Sequence, residues 1–342
     1  MTKPLLIMDQ HFRKVEELFR PDVFRALAGL CRIEGAKNWP MDPKRIDDLL
    51  TDATFYVSSR PALQAEQLAR ASSLRAVMEV SGAFHDDLDY EACFDRDIEV
   101  LSCIPSFRYA VAEMTLAMIL AGARGLVHEH EAFRNGSEGW LEDRDATDFS
   151  LYGQTVGYIG YGQIARQTHK LLEPFAPVVG AYDPWLSKDN TDVELFELDE
   201  LVTRHRVIVV AAAPSKENKH LLSADLISRL APGTLVVVVS RAYCVDFPAL
   251  IAAAESGRIR VATDVFPVEP LKATDPLRQS RNIILSPHRA AAVPGGRFPI
   301  GDMILHDVSA ILNGDPTRQL KAADRDRVAS LAGGQRGIQA VR

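Results

Sequence analysis

The sequence predicts an α/β protein built from two doubly wound parallel-sheet domains, and three observations carry that expectation. With 342 residues, 47% of them hydrophobic and 25% charged, the chain has apolar material for two ordinary cores. Short β-rich runs alternate with helical patterns in two series, one before residue 150 and one after it. In the second series the runs are almost continuously apolar, as strands covered by helices on both faces must be.

The first series consists of PLLIMD, FYVSS, LRAVMEV and IEVLSC, separated by segments such as PKRIDDLLTDA and PALQAEQLARA, and reads as βα units of a parallel sheet. Near Arg108 the pattern changes. VAEMTLAMILAGARGLVHEHEAF carries apolar residues around most of its circumference and predicts one long helix buried between domains. TVGYIG, VVGAYD, RVIVVAAA, TLVVVVS, RVATDV and NIILS then supply the strands of a second sheet. Beyond His288, FPIGDMILHDVSAILNG predicts a helix capped at Asn313 and Gly314 that returns the chain to the first domain. The first domain is thus expected to be discontinuous, residues 1–107 with 290–342, around a second domain of 108–289. From Asp315 onward, polar composition and the GGQRG stretch suggest a loosely held tail.

Charge and cysteine usage exclude several classes. A net charge of -7 and a pI near 5.8 disfavour nucleic acid or an anionic membrane as partner, since either needs a basic face to replace counterions. A small molecule is the expected partner. Cys31, Cys93, Cys103 and Cys244 are scattered without a CxxC pair, which fits isolated thiols in a reducing cytoplasm and no metal site. The start, MTKPLLIMDQHFRK, is too weakly apolar for an export signal, and no later run is expected to reach membrane-spanning length.

Specific chemistry begins at GYIGYGQIA. Gly160 and Gly162 follow a strand and open the helix QIARQTHKLLEPF, where glycine lets backbone amides approach a pyrophosphate and Ala165 meets the need for a small third residue. Gln163 and Ile164 form the first turn of that helix. Asp183 ends the next strand, 23 residues after Gly160, where a carboxylate can accept from adenosine ribose hydroxyls and repel a 2′-phosphate. NAD is therefore expected over NADP. Three polar residues then stand at strand ends. Arg241, after TLVVVVS, offers a planar guanidinium suited to a carboxylate and a 2-oxo oxygen. His288, in SPHRAAA, offers an imidazole able to exchange a proton with a hydroxyl, and Glu269, before Pro270, a carboxylate to orient that ring. Asp264, closing RVATDV, reads either as a partner of the nicotinamide carboxamide or as a turn cap.

These segments, TVGYIGYGQIA with YDP, SRAYCVDFPALIAAAESGRI, DVFPVEPL and NIILSPHRA, together with the weaker SGAFHDDLD and VAEMTLAMILAGAR, resemble the NAD-dependent D-isomer-specific 2-hydroxyacid dehydrogenase family over most of the chain. The resemblance implies a Rossmann nucleotide-binding domain inserted into a discontinuous flavodoxin-like substrate domain, and a homodimer. It gives Arg241, Glu269 and His288 catalytic roles, and Gly160, Gly162, Gln163, Ile164, Asp183, Pro214 and Asp264 roles at the cofactor. Amides of Gly82, Ala83 and Phe84 would grip the substrate carboxylate together with Arg241.

Departures from the family pattern bear on substrate more than on reaction. Ala242 stands where a glycine is usual, and the stretch from SGRI to DV is one residue short. Phe84 replaces a second glycine and Asp87 an asparagine, so Phe84 either reshapes the pocket or packs as a core aromatic. The function expected is reduction of a small 2-oxo acid of the glyoxylate or hydroxypyruvate type. Oxidation of phosphoglycerate, and an NADH-sensing corepressor-like protein without turnover, are the alternatives.

Overall fold

The computed structural model describes residues 3–11, 13–141 and 148–330, so the GGQRG stretch lies outside the described residues. The chain divides into two compact units, Met1–Arg108 with Ala292–Arg342, and Tyr109–Ala291. In chain order the strands are β1 (Leu5–Asp9), β2 (Arg32–Gly35), β3 (Ala53–Ser58), β4 (Ala76–Glu79), β5 (Glu99–Ser102), β6 (Thr155–Ile159) and β7 (Val178–Tyr182). There follow β8 (Glu194–Leu195), β9 (Val207–Val210), β10 (Leu235–Val238), β11 (Arg260–Thr263), β12 (Ile283–Leu285) and β13 (Lys321–Ala322).

In the first unit the order is β13-β5-β4-β3-β1-β2, parallel except for β13. Alternate residues of one strand serve opposite faces. Leu6 and Met8 pack with Leu27, Ile304 and Val308, whereas Leu5 and Ile7 pack with Ile46, Leu50 and Leu68. Helix Phe298–Asn313 thus adds to the first core and stops at Gly314, whose φ of 73° is the left-handed C-cap conformation. β2 escapes the sequence reading because RIEG is a half-exposed edge strand with no apolar run.

The segment after Asp315 corrects the expectation of a loose tail. Asp307, fully buried, accepts the Gln319 and Leu320 N–H groups at 2.8 and 2.9 Å, and Arg318 grips Glu99 through two bonds of 2.6 Å. These contacts dock β13 antiparallel to β5, and helix Arg325–Ala329 follows.

The second unit has the order β12-β11-β10-β9-β6-β7-β8, all parallel, which is the Rossmann arrangement plus one strand. Ile159, Ile208, Val210, Val236, Val238 and Val261 form its core with Leu201, Ile227 and Leu250. Two sequence expectations fail nearby. The single long helix is two, Arg108–Ala123 and Leu126–Arg134, broken at Gly125 with φ 57°, and the second buries no residue. Ile104–Ala123 is, against expectation, long and apolar enough to cross a membrane. The same composition serves packing here: Val111, Ala112, Met118 and Ile119 are buried, and Gly122 leaves room only for Leu235.

Candidate active site

Gly160 has φ 85°, and a Cβ there would lie 2.5 Å from the Cα of Ala212 in the loop after β9, so only glycine fits. Pro214 stands two residues further along that loop. Gly162, the N-cap of helix Gln163–Leu172, has nothing within 4 Å of where a Cβ would sit. Space therefore lies above the helix start, whose first-turn N–H groups, those of Gln163 and Ile164 among them, are the donors a helix leaves over. Asp183 sits beside this loop: one carboxylate oxygen accepts the Tyr161 N–H at 2.8 Å and the other the Trp185 N–H at 3.0 Å. Each oxygen retains a lone pair. Capping of these two N–H groups and a ribose contact are thus compatible, and the loop as a whole fits a dinucleotide.

The groups expected to do chemistry converge at the carboxyl edge of the same sheet. His288 Nδ1 lies 2.6 Å from Glu269 Oε2, with the two side chains 27% and 19% exposed. Glu269 Oε1 accepts the Phe266 N–H at 2.9 Å. Burial by itself raises the Glu269 carboxyl, but the His288 bond and charge, the Phe266 N–H and the Arg241 charge together outweigh it and hold the group below the ordinary carboxylate range. An ionised Glu269 only accepts, so Nδ1 carries the bonded proton and Nε2 is left for exchange. Arg241 is half-buried, and its guanidinium donates to the Ser240 carbonyl at 2.8 Å.

Asp264 is placed differently from the nicotinamide role expected of it. It is 1% exposed, and its carboxylate accepts the Ser286 hydroxyl, the Arg289 N–H at 2.9 Å and the Ala290 N–H at 2.9 Å. All three donors belong to the turn that carries His288. That turn holds His288 at φ 49°, a left-handed conformation costing a non-glycine residue about 1–2 kcal/mol. Asp264 is therefore a positioning residue, and the turn-cap alternative is the one the geometry shows.

The loop Gly82–Phe84 also departs from expectation. Glu79, at the end of β4 and 1% exposed, accepts the N–H groups of Ser81, Gly82 and Ala83, the last two at 3.0 and 3.1 Å, and the Ser102 hydroxyl at 2.7 Å. The amides of Gly82 and Ala83 are thus occupied by the chain's own carboxylate. Phe84 is half-buried and packs against the core, edge-on to Tyr90 with ring centroids 6.4 Å apart. Asp87 pairs with Arg60. Sequence reasoning missed Glu79, yet the signal was there: a carboxylate closing the apolar run LRAVMEV must be buried, and a buried charge must find donors.

A dinucleotide-type glycine loop beside an Arg–Glu–His cluster, on a parallel sheet of this order, defines an α/β protein of the nucleotide-dependent oxidoreductase class. A family model described as D-isomer specific 2-hydroxyacid dehydrogenase, NAD binding domain, matches residues 116–290. The structure is similar to that of a phosphoglycerate oxidoreductase from Rhizobium etli, at 33% identity and a TM-score of 0.83, covering 94% of this chain and 99% of the other. D-3-phosphoglycerate dehydrogenase of Archaeoglobus fulgidus is 29% identical over 280 residues, 80% of this chain and 52% of that relative. Glyoxylate reductase of Thermofilum pendens is 28% identical over 296 residues, 83% of this chain and 85% of the relative. The chain spans about half the length of the curated phosphoglycerate dehydrogenases it matches. It belongs to the D-isomer-specific 2-hydroxyacid dehydrogenase family, and the second unit is that family's NAD-binding domain.

Proposed function

We propose that this chain is an NAD-dependent D-2-hydroxyacid dehydrogenase that reduces a small 2-oxo acid of the glyoxylate or hydroxypyruvate type. The observation that carries the reading is the 2.6 Å bond between His288 and Glu269, with Arg241 close enough to lower the Glu269 carboxyl further. A nicotinamide dinucleotide held at the Gly160–Gly162 loop and Asp183 would supply hydride to C2. Arg241 holds the substrate carboxylate and stabilises the negative oxygen that develops at C2. His288 Nε2 delivers the proton to that oxygen, and Glu269 fixes the ring and stabilises its charged form. Because Glu79 occupies the Gly82 and Ala83 amides, the substrate carboxylate depends on Arg241 more heavily than the resemblance alone suggests.

Asp183 sets the preference for NAD, since a carboxylate beside the glycine loop repels a 2′-phosphate. The glyoxylate or hydroxypyruvate assignment draws support from the reductase matched over 85% of its length. A second copy of the chain is the macromolecular partner, favoured by the exposed Leu126, Phe133, Trp140 and Tyr152 of the second unit. Four buried free thiols suit a reducing, cytoplasmic setting. The test is NADH oxidation against glyoxylate, hydroxypyruvate, pyruvate and phenylpyruvate, repeated with NADPH. Consumption with at least one acid, and a preference for NADH, are expected; no consumption with any acid, despite bound NADH, overturns the reading.

A further inference from the structure

Tyr161, the residue between the two glycines of the candidate cofactor loop, is held from several sides within the second unit. Its N–H donates to Asp183 at 2.8 Å. Its ring, 5% exposed, meets Tyr158 of β6 edge-on with centroids 5.5 Å apart, and the Arg166 guanidinium stands over it at 4.9 Å. Its hydroxyl lies 2.6 Å from Nδ1 of His169, in the second turn of helix Gln163–Leu172. A buried hydroxyl without a partner is costly, so a phenol at this place calls for a polar group on the helix, and His169 supplies it. Burial lowers the His169 imidazole against a smaller opposing contribution from Glu173. Burial likewise raises the Tyr161 phenol, with Asp192 and Glu173 adding to it and Arg166 opposing. Both groups are therefore neutral near pH 7, and the bond between them does not depend on charge.

Glycine on either side leaves the loop more backbone freedom than other residues would, and Gly162 meets no neighbour that could hold it. The side chain of Tyr161 supplies the missing constraint. We propose that Tyr161 and His169 are a positioning pair for the cofactor, their bond tying the glycine loop down onto its own helix. The first-turn N–H groups and Asp183 then stand in place before a dinucleotide arrives, and less ordering is left for binding to offset. This inference rests on the reading of the Gly160–Gly162 loop as the dinucleotide site.

The experiment uses the full chain and compares wild type with Tyr161→Phe, His169→Leu, the double variant and His169→Asn. The Kd for NADH is measured by fluorescence titration, and the Tm without ligand by thermal unfolding. Each single variant should raise the Kd about 3- to 10-fold, the worth of one neutral hydrogen bond. The double variant should be no weaker than the weaker single, because both changes remove the same bond. His169→Asn, whose carboxamide can stand where Nδ1 does, should recover most of the loss.

A lowered Tm in both single variants with NADH bound as tightly as by wild type would make the pair merely structural and overturn the inference. Losses that multiply in the double variant would overturn it as well, since the two side chains would then act separately. A wild type that binds no NADH removes the loop as a dinucleotide site and the inference with it, an outcome distinct from variants that bind as wild type does. Should Tyr161→Phe fail to fold, His169→Leu and His169→Asn decide on the same readouts.

Discussion

At the scale of single residues, the site depends on groups that position other groups. Asp264 accepts three donors from the His288 turn, two of them N–H groups that cannot be reversed. Asp264→Asn keeps the shape but offers one accepting oxygen, leaving a donor facing a donor at a cost of about 1–3 kcal/mol. The expected result is kcat reduced roughly ten-fold or more with the Kd for NADH unchanged, read by steady-state kinetics and fluorescence titration. Weakened NADH binding with normal kcat would restore the nicotinamide role instead. The pairing of Glu269 with His288 was legible in the sequence because both lie in the segments that follow β-rich runs, on the side where parallel sheets face ligands. The part played by Glu79 was not, because which donors a buried carboxylate finds depends on the path of the loop after it.

At the scale of elements, His205 shows how a side chain can complete a sheet. It caps helix Leu198–Arg204, is 5% exposed, and fills the space left by Gly157 of β6 and Gly180 of β7. Its Nδ1 lies 2.8 Å from the Leu201 carbonyl and its ring meets Phe196 edge-on. Burial lowers its pKa, against smaller opposing contributions from the Leu201 carbonyl and Glu194. A histidine lowered on folding resists a proton that the unfolded chain accepts, so its contribution to stability is complete above the unfolded value of about 6.5. That contribution shrinks as pH falls from there to the folded value, by at most about 1.4 kcal/mol per pH unit. Thermal unfolding at pH 7.5 and 5.5 should therefore show a larger loss of Tm for wild type than for His205→Asn; equal losses would remove His205 as the cause.

The strands legible in advance were those with continuous apolar runs, β1, β3 to β7 and β9 to β12. β2, β8 and β13 were missed because edge strands need few apolar residues, and the docking of β13 rests on Asp307 and Arg318, polar contacts that no periodicity announces.

At the scale of the whole molecule, the exposed apolar residues of the second unit bear on assembly. Leu126, Phe133, Trp140 and Tyr152 are 62%, 59%, 74% and 69% exposed, more than a solitary surface ordinarily carries in one segment. Sedimentation equilibrium should give a dimer for wild type and a lighter species for Phe133→Glu; a monomeric wild type at micromolar concentration would refute the pairing. The proposed reaction turns on proton delivery by His288, and the most direct measurement is turnover of a reducible 2-oxo acid by His288→Ala beside wild type, with NADH affinity determined on both. We predict kcat lowered by roughly 10²- to 10⁴-fold at unchanged NADH affinity. Turnover equal to that of wild type would contradict the account.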